Sequence, residues 1–357
     1  MPGGWILRRG ASSGARYEKA DGTPVTDAAT LARIAGLSVP PAWRDVHIAA
    51  SSRSAVQAWG YDARGRKQYR YDDRAVERGQ LRKYHRMRQL AHDLPRLREA
   101  IDRDFRSDGM TEERVAAAVV RLISQGFFRV GNERYAQENR TFGITTLRTR
   151  HVKVNGEQLI FSYKGKKGVR QRQVVVDAHL VQFVEEVLET PGTRLFRYRK
   201  EGRWQDLTAP DVNGYLRQRL GVRYTAKDFR TWGGTLRAAT VLAEFGPAEN
   251  ERQARANVVS AVRLVAAELG NTPAICRKSY IHPIVIARYL DAGDVIEPDP
   301  DPPARRGQDH YSLAPEESAL IRFLDQHFPE RRAGRMRSVR PARDRRLPEP
   351  VATDTPR

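Results

Sequence analysis

A tyrosine near the end of a short predicted helix is the first residue whose position could support chemistry. Residues 271 to 280 read Asn-Thr-Pro-Ala-Ile-Cys-Arg-Lys-Ser-Tyr. Thr272 is a favourable N-cap, and Pro273 suits the first helical position, where a missing N–H is harmless. Pro283 should interrupt the helix soon after Tyr280. A phenol at such a helix end can project into a cleft and act as a covalent nucleophile, or it can be an ordinary half-buried tyrosine.

Three cations stand at positions that would suit the binding of an anion. Arg129 ends a predicted helix and precedes a Gly-Asn-Glu turn, and Lys166 lies at the tip between two predicted strands. Arg230 begins another helix and shares a face with Lys227, three residues earlier. Arginine stays charged and donates from a planar fork, whereas the pKa of a lysine shifts readily when other cations surround it. Each of these residues could equally be a solvated surface cation.

The overall charge points to a polyanionic partner. The 357 residues contain 63 Lys and Arg against 43 Asp and Glu, a net charge of +20, and the pI is about 10.4. From residue 328 onward there are nine arginines and four acids, a net of +5, so +15 belongs to the rest of the chain. A basic folded body with interleaved aromatic residues favours a nucleic acid over a membrane surface.

Cysteine content and hydropathy indicate a cytoplasmic chain. Cys276 is the single cysteine, so no intramolecular disulfide can form and a reducing compartment is expected. Its spacing from Tyr280 allows a redox switch, but a small buried core residue is the simpler reading. We find no apolar run of the roughly 18 residues that a membrane span needs, and no signal-peptide core.

The chain is predicted to have an α+β fold in three parts. Residues 1–78 have strand and turn character, residues 79–297 form a mostly helical domain with a three-stranded antiparallel sheet, and residues 298–357 form a Pro- and Arg-rich linker and tail, largely disordered apart from a possible short helix from Pro315 to Phe328. The predicted helices are 27–37, 74–105 with Pro95 as a break, a helix from Thr111, and 178–189, 211–220, 226–245, 250–269, 272 onward and 284–292. Asn155-Gly156 predicts a hairpin within the small sheet.

Two turns rich in cations suit contact with phosphates. In the N-terminal part, aromatic residues flank a basic turn; the candidate DNA-binding residues there are Arg64, Arg66, Lys67, Gln68, Tyr69 and Tyr71. In the small sheet the corresponding residues are Lys164 and Lys167, on either side of Lys166. A solvated basic hairpin is the alternative interpretation of either turn.

Five stretches taken in order resemble one family. They are Phe128-Arg129-Val130-Gly131, Arg140 to Leu147, Lys164-Gly165-Lys166, Lys227 to Trp232 and Asn271 to Tyr280. Their order and spacing resemble the type IB DNA topoisomerases of the poxvirus and bacterial kind, and the N-terminal stretches 39–43 and 57–71 are similar to that group as well. The resemblance covers residues 1 to about 295.

The resemblance implies specific roles. Tyr280 would be the nucleophile, Arg129 and Arg230 the catalytic arginines, and Lys166 the general acid. Asn271 stands where the poxvirus enzymes carry a histidine; it can donate a hydrogen bond to a phosphoryl oxygen but cannot act as a charged acid. The implied reaction is relaxation of supercoiled duplex DNA through a 3′-phosphotyrosyl intermediate, strand rotation and religation, by a monomer that clamps the duplex in the nucleoid.

No cofactor is expected. The sequence has no tight Asp/Glu cluster suited to Mg²⁺ and no Gly-rich phosphate loop with Lys-Ser/Thr, which predicts cleavage without metal or ATP. Two other classes remain open. A tyrosine recombinase would share the nucleophile and arginines, but usually has His where this chain has Lys227, and a purely helical N-terminal domain. A non-catalytic architectural DNA binder would explain the charge alone.

Overall fold

The N-terminal part of the chain folds around an antiparallel sheet. The computed structural model describes residues 4–10, 14–222, 224–298 and 311–328. The five strands are β1 (Trp5–Arg9), β2 (Arg16–Lys19), β3 (Arg44–Ala49), β4 (Val56–Tyr61) and β5 (Lys67–Tyr71), in the spatial order β2-β1-β3-β4-β5. Helix α1 (Ala28–Gly36), capped by Asp27, follows β2.

The two faces of this sheet differ in character. Ile6, Ile48 and Ala58 point to one face and form a small core with Ile34 of α1. The opposite face carries aromatic rings: Trp59 stacks on His47 at 3.8 Å between ring centroids and lies directly across from Tyr69 in the register of β4 and β5. Alternation along each strand therefore separates a buried apolar face from an aromatic face.

A single long helix leads out of the sheet. Helix α2 (Asp73–Phe105) begins immediately after β5, with Asp72 as its N-cap. The prediction that Pro95 breaks this helix is wrong. Proline removes one backbone hydrogen bond, but Leu94 and Leu97 on either side are fully packed into the core, and burial of this apolar face outweighs the lost bond.

The remaining helices surround one large core. They are α3 (Glu112–Gly126), α4 (Glu133–Asn139), α5 (Ala178–Leu188), α6 (Ala209–Leu220), α7 (Ala226–Phe245), α8 (Glu251–Leu269), α9 (Pro273–Ser279), α10 (Pro283–Ala292) and α11 (Pro315–His327). Strands β6 (Val152–Asn155), β7 (Gln158–Lys164) and β8 (Arg170–Val176) form the predicted three-stranded antiparallel sheet. Helix α4 and the two-stranded hairpin β9 (Arg197–Lys200) and β10 (Arg203–Asp206) were not predicted. The architecture confirms the α+β fold.

Helix α11 confirms the predicted short helix but belongs to the core, although it lies within the segment 298–357 assigned to linker and tail. Leu320 and Leu324 are fully buried with the residues of α2 and α7. Glu317 accepts two hydrogen bonds from Arg98 of α2, at 2.7 and 2.9 Å. The helical domain thus extends past the predicted boundary at residue 297. Residues 299–310 and 329–357 lie outside the described residues.

Candidate active site

Arg230 is held rigidly at the start of α7. Thr225 and Asp228 form a capping box there: both the N–H and the hydroxyl of Thr225 donate to the Asp228 carboxylate at 2.9 Å. The other carboxylate oxygen of this fully buried side chain accepts from Arg86 of α2 at 2.8 Å. The N-terminus of α7 is therefore fixed to α2 two residues before Arg230.

The guanidinium of Arg230 joins two helix ends. It is only 2% exposed and donates to the carbonyls of Phe127 and Leu269, the latter at 2.8 Å. These carbonyls lie at the C-terminal ends of α3 and α8, where the helix dipoles concentrate negative charge. The Nε atom of Arg230 is buried without a hydrogen-bond partner among the described residues. One donor of Arg230 thus remains unused by the described residues.

Arg129 and Asn271 meet on the same turn. The Arg129 guanidinium donates to the Gly270 carbonyl at 3.0 Å and to Oδ1 of Asn271 at 2.7 Å. The Asn271 amide nitrogen donates to the Leu269 carbonyl at 3.3 Å. The turn 269–271 between α8 and α9 therefore accepts hydrogen bonds from both arginines. Asn271 orients Arg129 through its side-chain oxygen.

The arginine pair makes this turn electropositive. Burial lowers the pKa of Arg230, and the nearby charge of Arg129 acts in the same direction. Tyr280, which lies beside the guanidinium, acts on the Arg230 pKa in the opposite direction. Two like charges held close together in a poorly solvated place are stabilised by a bound anion. The arrangement suits a phosphate group.

Tyr280 lies beside Arg230 at the end of α9. As predicted, Thr272 caps this helix, and Tyr280 occupies its C-cap, with its N–H donating to the Cys276 carbonyl at 2.9 Å. The Arg230 guanidinium carbon lies 5.1 Å from the centroid of the half-buried Tyr280 ring. The structure therefore brings Tyr280, Arg230, Arg129 and Asn271 together from elements far apart in sequence.

The segment 279–282 that contains Tyr280 is bonded to three residues that sequence reasoning missed. Thr235 of α7 donates to the Tyr280 carbonyl at 3.2 Å and accepts the His282 N–H at 3.0 Å. Lys83 and Tyr84 of α2 donate to the carbonyls of Ser279 and Ile281, at 3.1 and 3.0 Å. Capping and periodicity identify the helices, but no local signal in the sequence indicates these contacts.

Lys83 is an ammonium group buried near the tyrosine. Burial lowers its pKa to about 8; the charge of Lys227 acts in the same direction, and Asp228 opposes it. Its Nζ also lies 3.9 Å from the centroid of the Tyr84 ring. The Ser279 carbonyl, the aromatic face and Asp228 together stabilise this charge close to Tyr280.

Lys166 lies on an exposed turn. Residues Lys166–Gly168 form a short 3-10 turn between β7 and β8, with Lys167 in the left-handed region at φ 63°. The Lys166 ammonium makes no hydrogen bond or ion pair with the described residues. The hairpin itself is anchored, because the Phe142 N–H donates to the Lys164 carbonyl at 2.8 Å. Lys166 is thus available to a ligand, and its distance from the phosphate site depends on how this hairpin is held.

The N-terminal candidate residues lie together on β5 and on the turn that precedes it. In the turn between β4 and β5, Asp62 accepts hydrogen bonds from Arg66 and Gln68, and these bonds, led by that from Arg66, hold the pKa of its carboxyl well below its usual range. Lys67 lies 3.7 Å from the centroid of the Trp59 ring. Tyr69 and Tyr71 are exposed and stack on each other at 5.9 Å. Arg64 is exposed at the tip of the turn.

Other polar residues near the site have structural roles. Glu133 pairs with Arg194 at 2.6 Å and Glu138 with Arg134 at 2.8 Å, so both carboxylates are used in salt bridges. Cys276 is fully buried, and burial raises the pKa of its thiol to about 11. Within the described ranges, no group of three His, Cys, Asp or Glu residues could hold a metal ion. None of the described helices is long and apolar enough to cross a membrane.

Comparison with known proteins identifies the class. Residues 73–297 match the family model of the eukaryotic DNA topoisomerase I catalytic core, and residues 14–62 match that of the bacterial DNA topoisomerase IB N-terminal domain. The chain belongs to the type IB DNA topoisomerases, a family of type I isomerases, and combines their catalytic core with the N-terminal domain of the bacterial kind.

Viral enzymes are among its relatives. DNA topoisomerase 1B of Acanthamoeba polyphaga mimivirus is 30% identical over 267 residues, which cover 72% of this chain and 80% of that protein. DNA topoisomerase 1B of vaccinia virus is 22% identical over 238 residues, 65% of this chain and 72% of that protein. A solved structure of the XerH site-specific recombinase on its palindromic difH substrate aligns with a TM-score of 0.37 and 16% identity, over 57% of this chain and 50% of that one.

Proposed function

We propose that this chain relaxes supercoiled DNA, with Tyr280 as the nucleophile that cleaves one strand transiently. The observation that carries the proposal is the convergence of Arg129 and Arg230 on the turn 269–271, with the Arg230 guanidinium 5.1 Å from the centre of the Tyr280 ring. Membership of the type IB family supports it. A phosphodiester bound by the two arginines would lie within reach of the phenol.

The chemistry exchanges one phosphodiester for another. The Tyr280 phenol releases its proton to solvent, and its oxygen attacks phosphorus to form the 3′-phosphotyrosyl bond, while the bond from phosphorus to the 5′ oxygen breaks and its electron pair stays on that oxygen. Lys166 supplies the proton that this oxygen takes up. Arg129 and Arg230 stabilise the charge that grows on the non-bridging oxygens. Because the two diesters have similar energies, religation is the same path in reverse and needs no ATP.

The arginines would act from prearranged positions. Arg230 is bonded to two helix ends and Arg129 to Gly270 and Asn271 without any ligand. A site whose dipoles and charges are already oriented loses little energy to rearrangement when the transition state forms. We assign Asn271 to the orientation of Arg129, with its remaining amide hydrogen available to a phosphoryl oxygen.

The partner is double-stranded DNA, held between the two parts of the chain. We propose that the N-terminal sheet, through Arg64, Arg66, Lys67, Gln68, Tyr69 and Tyr71, contacts the duplex opposite the catalytic core, where Lys164 and Lys167 contact the backbone. Exposed cations and stacked tyrosines beside one another support this assignment. We further propose that a single chain clamps the duplex and acts without metal. Its place of action would be the nucleoid, in the cytoplasm.

The rival function is site-specific recombination. Recombinases share a tyrosine nucleophile and arginines, so the catalytic residues alone do not separate the two. Two features favour relaxation: residues 14–62 match a topoisomerase N-terminal domain, and a five-stranded sheet occupies this region instead of a purely helical domain.

Plasmid relaxation tests the function directly. We expect purified protein to relax supercoiled plasmid in EDTA without ATP, and Tyr280→Phe to lose relaxation while keeping DNA affinity, because only the attacking oxygen is removed. Denaturation during the reaction should leave protein covalently attached to the 3′ end of the nicked strand. Plasmid that stays supercoiled across a range of salt concentrations would contradict the proposal. Relaxation by Tyr280→Phe would show that Tyr280 is not the nucleophile.

A further inference from the structure

One buried glutamine lies between the Lys166 hairpin and the turn that binds the arginines. Gln171 is on β8, where its neighbours Arg170 and Arg172 are exposed but Gln171 itself is only 7% exposed. Its side chain fills the space beside two glycines. A methyl group on Gly165 would lie 2.7 Å from Gln171 Cγ, and one on Gly270 would lie 2.1 Å from Oε1 and 2.6 Å from Nε2.

These two glycines belong to opposite halves of the proposed site. Gly165 directly precedes Lys166, and its N–H and carbonyl close the hairpin turn by bonding to Val169 and Gly168. Gly270 directly precedes Asn271, and its carbonyl accepts the hydrogen bond from Arg129. Gln171 therefore contacts the main chain next to the general acid and the main chain next to the phosphate-binding arginine.

The contact depends on the shape of the side chain. Gly270 has φ +56°, a left-handed conformation that glycine adopts without strain, and its lack of a side chain admits the planar amide of Gln171. The amide nitrogen of Gln171 is satisfied locally by the Arg170 carbonyl at 3.3 Å. The side chain thus acts as a spacer of fixed length between two backbone segments.

We propose that Gln171 is a positioning residue that sets the distance between the Lys166 hairpin and the turn 269–271. Lys166 makes no bond with the described residues, so the placement of its ammonium at the leaving 5′ oxygen follows from the placement of the hairpin. Gln171 fixes that placement without touching the DNA. The inference rests on the role of Lys166 proposed above.

A substrate that needs no proton on its leaving group provides the test. We would map a cleavage site by trapping the covalent complex, and then synthesise that duplex with oxygen or with bridging sulfur at the 5′ leaving position. A thiolate leaves without protonation because its pKa is far below that of an alcohol. Single-turnover cleavage of both duplexes would be measured for wild type, Lys166→Ala, Gln171→Ala and the control Gln173→Ala.

The control is matched in type and place. Gln173 is on the same strand and the same side as Gln171, but its amide bonds to Tyr163 and to the Gly126 carbonyl, at 2.8 and 3.2 Å, away from the turn 269–271. We expect Gln171→Ala to slow cleavage of the oxygen duplex on the order of 100-fold, the typical effect of an ångström-scale misplacement. Sulfur should restore most of that loss. Gln173→Ala should keep the wild-type ratio of sulfur to oxygen rates.

The outcomes separate the two proposals. If sulfur does not rescue Lys166→Ala, the general-acid role fails and this inference with it. If sulfur rescues Lys166→Ala but not Gln171→Ala, or if Gln171→Ala cleaves the oxygen duplex at the wild-type rate, only the positioning role is overturned. Gln171→Met, which keeps the length of the side chain, should retain the wild-type ratio. Gln171→Asn, shorter by one methylene, replaces Gln171→Ala in the test if the alanine variant does not fold.

Discussion

The main chain of Tyr280 lies directly against Gly234 of α7. A methyl group on Gly234 would lie 2.9 Å from the Tyr280 carbonyl oxygen and 3.3 Å from its Cβ. The first of these distances is shorter than real methyl contacts, so a larger side chain requires Tyr280 to move. Gly234 is inside a regular helix, where glycine is otherwise unfavourable. The close approach of the Tyr280 main chain explains why a glycine occupies this position.

Gly234→Ala should therefore slow DNA cleavage while the protein stays folded. The added methyl displaces Tyr280 from Arg230, and small misplacements of a reacting group lower the rate by factors of about 10 to 100. Single-turnover cleavage and thermal unfolding measure the two effects. Gly214→Ala is the matched control: it is also inside a helix, has nothing within 4 Å of an added methyl, and should cleave normally with stability raised by about 0.5–1 kcal/mol. Equal rates for both variants would contradict the prediction.

Asn271 offers a test of how Arg129 is oriented. Asn271→Ala removes the acceptor that lies 2.7 Å from the Arg129 guanidinium and should reduce the cleavage rate. Asn271→Asp keeps the acceptor but adds a negative charge beside the phosphate and partly neutralises Arg129, so it should cleave more slowly than the alanine variant. Cleavage rate constants at saturating protein measure the order of the two variants. If Asn271→Asp cleaved faster than Asn271→Ala, the prediction would be refuted.

The protonation of His282 links stability to pH. Burial lowers its pKa to about 3, and the charges of Lys83, His85 and Arg88 act in the same direction. Between this value and the unfolded pKa near 6.5, the unfolded chain binds one more proton than the native one, so stability falls as the pH falls.

His282→Asn should remove this dependence. Asparagine can keep the cap that the His282 side chain provides to the Ile284 N–H. Relative to this variant, the wild-type protein should lose about 1.4 kcal/mol of unfolding free energy per pH unit below 6.5. Urea unfolding of both proteins at pH 7.5 and 5 measures the difference. If the difference in unfolding free energy between the two proteins were the same at pH 7.5 and pH 5, His282 would not titrate in this way.

Two truncations test whether α11 belongs to the catalytic core. A chain ending at Phe328 keeps α11 and should relax plasmid at the wild-type rate. A chain ending at Pro298 exposes the surface of α2 and α7 that buries Leu320 and Leu324, and loses the bidentate bond between Arg98 and Glu317. We expect it to unfold at lower temperature or to be insoluble. Normal melting and relaxation of the shorter chain would show that α11 is dispensable.

Salt dependence tests the N-terminal turn. The exposed Arg64 side chain makes no hydrogen bond or ion pair with the described residues, whereas Arg66 is paired with Asp62 at 2.6 Å. If Arg64 meets a phosphate, Arg64→Ala should reduce the slope of log affinity against log salt by about 0.9, the effect of one lost phosphate contact. Arg66→Ala should change it less. Binding of a duplex by Tyr280→Phe at several salt concentrations measures the slopes.

Local patterns in the sequence predicted helices better than the contacts between them. Capping by Thr272 correctly located α9. The family resemblance singled out Asn271 and Tyr280, which the structure places near Arg129 and Arg230, and their catalytic roles stay predictions. Tyr84 could not be linked to the tyrosine segment, because its partner carbonyl is 197 residues away and any backbone carbonyl serves equally well. Pro95 was misjudged for a related reason: its local preference is to break a helix, and only tertiary packing overrides it.

Helix α11 also fixes when the active site can first exist during synthesis. Arg98 and Glu317, which join α2 to α11, are 219 residues apart, and the tyrosine segment rests on α2 and α7, the same helices that α11 covers. Domains form as the chain emerges from its N-terminus. Tyr280, the proposed nucleophile, is made well before the last described helix that closes its supporting core, so a nascent chain carries Tyr280 before that core is complete. If the proposed site needs this core, competence to cut DNA arises only after α11 has been made.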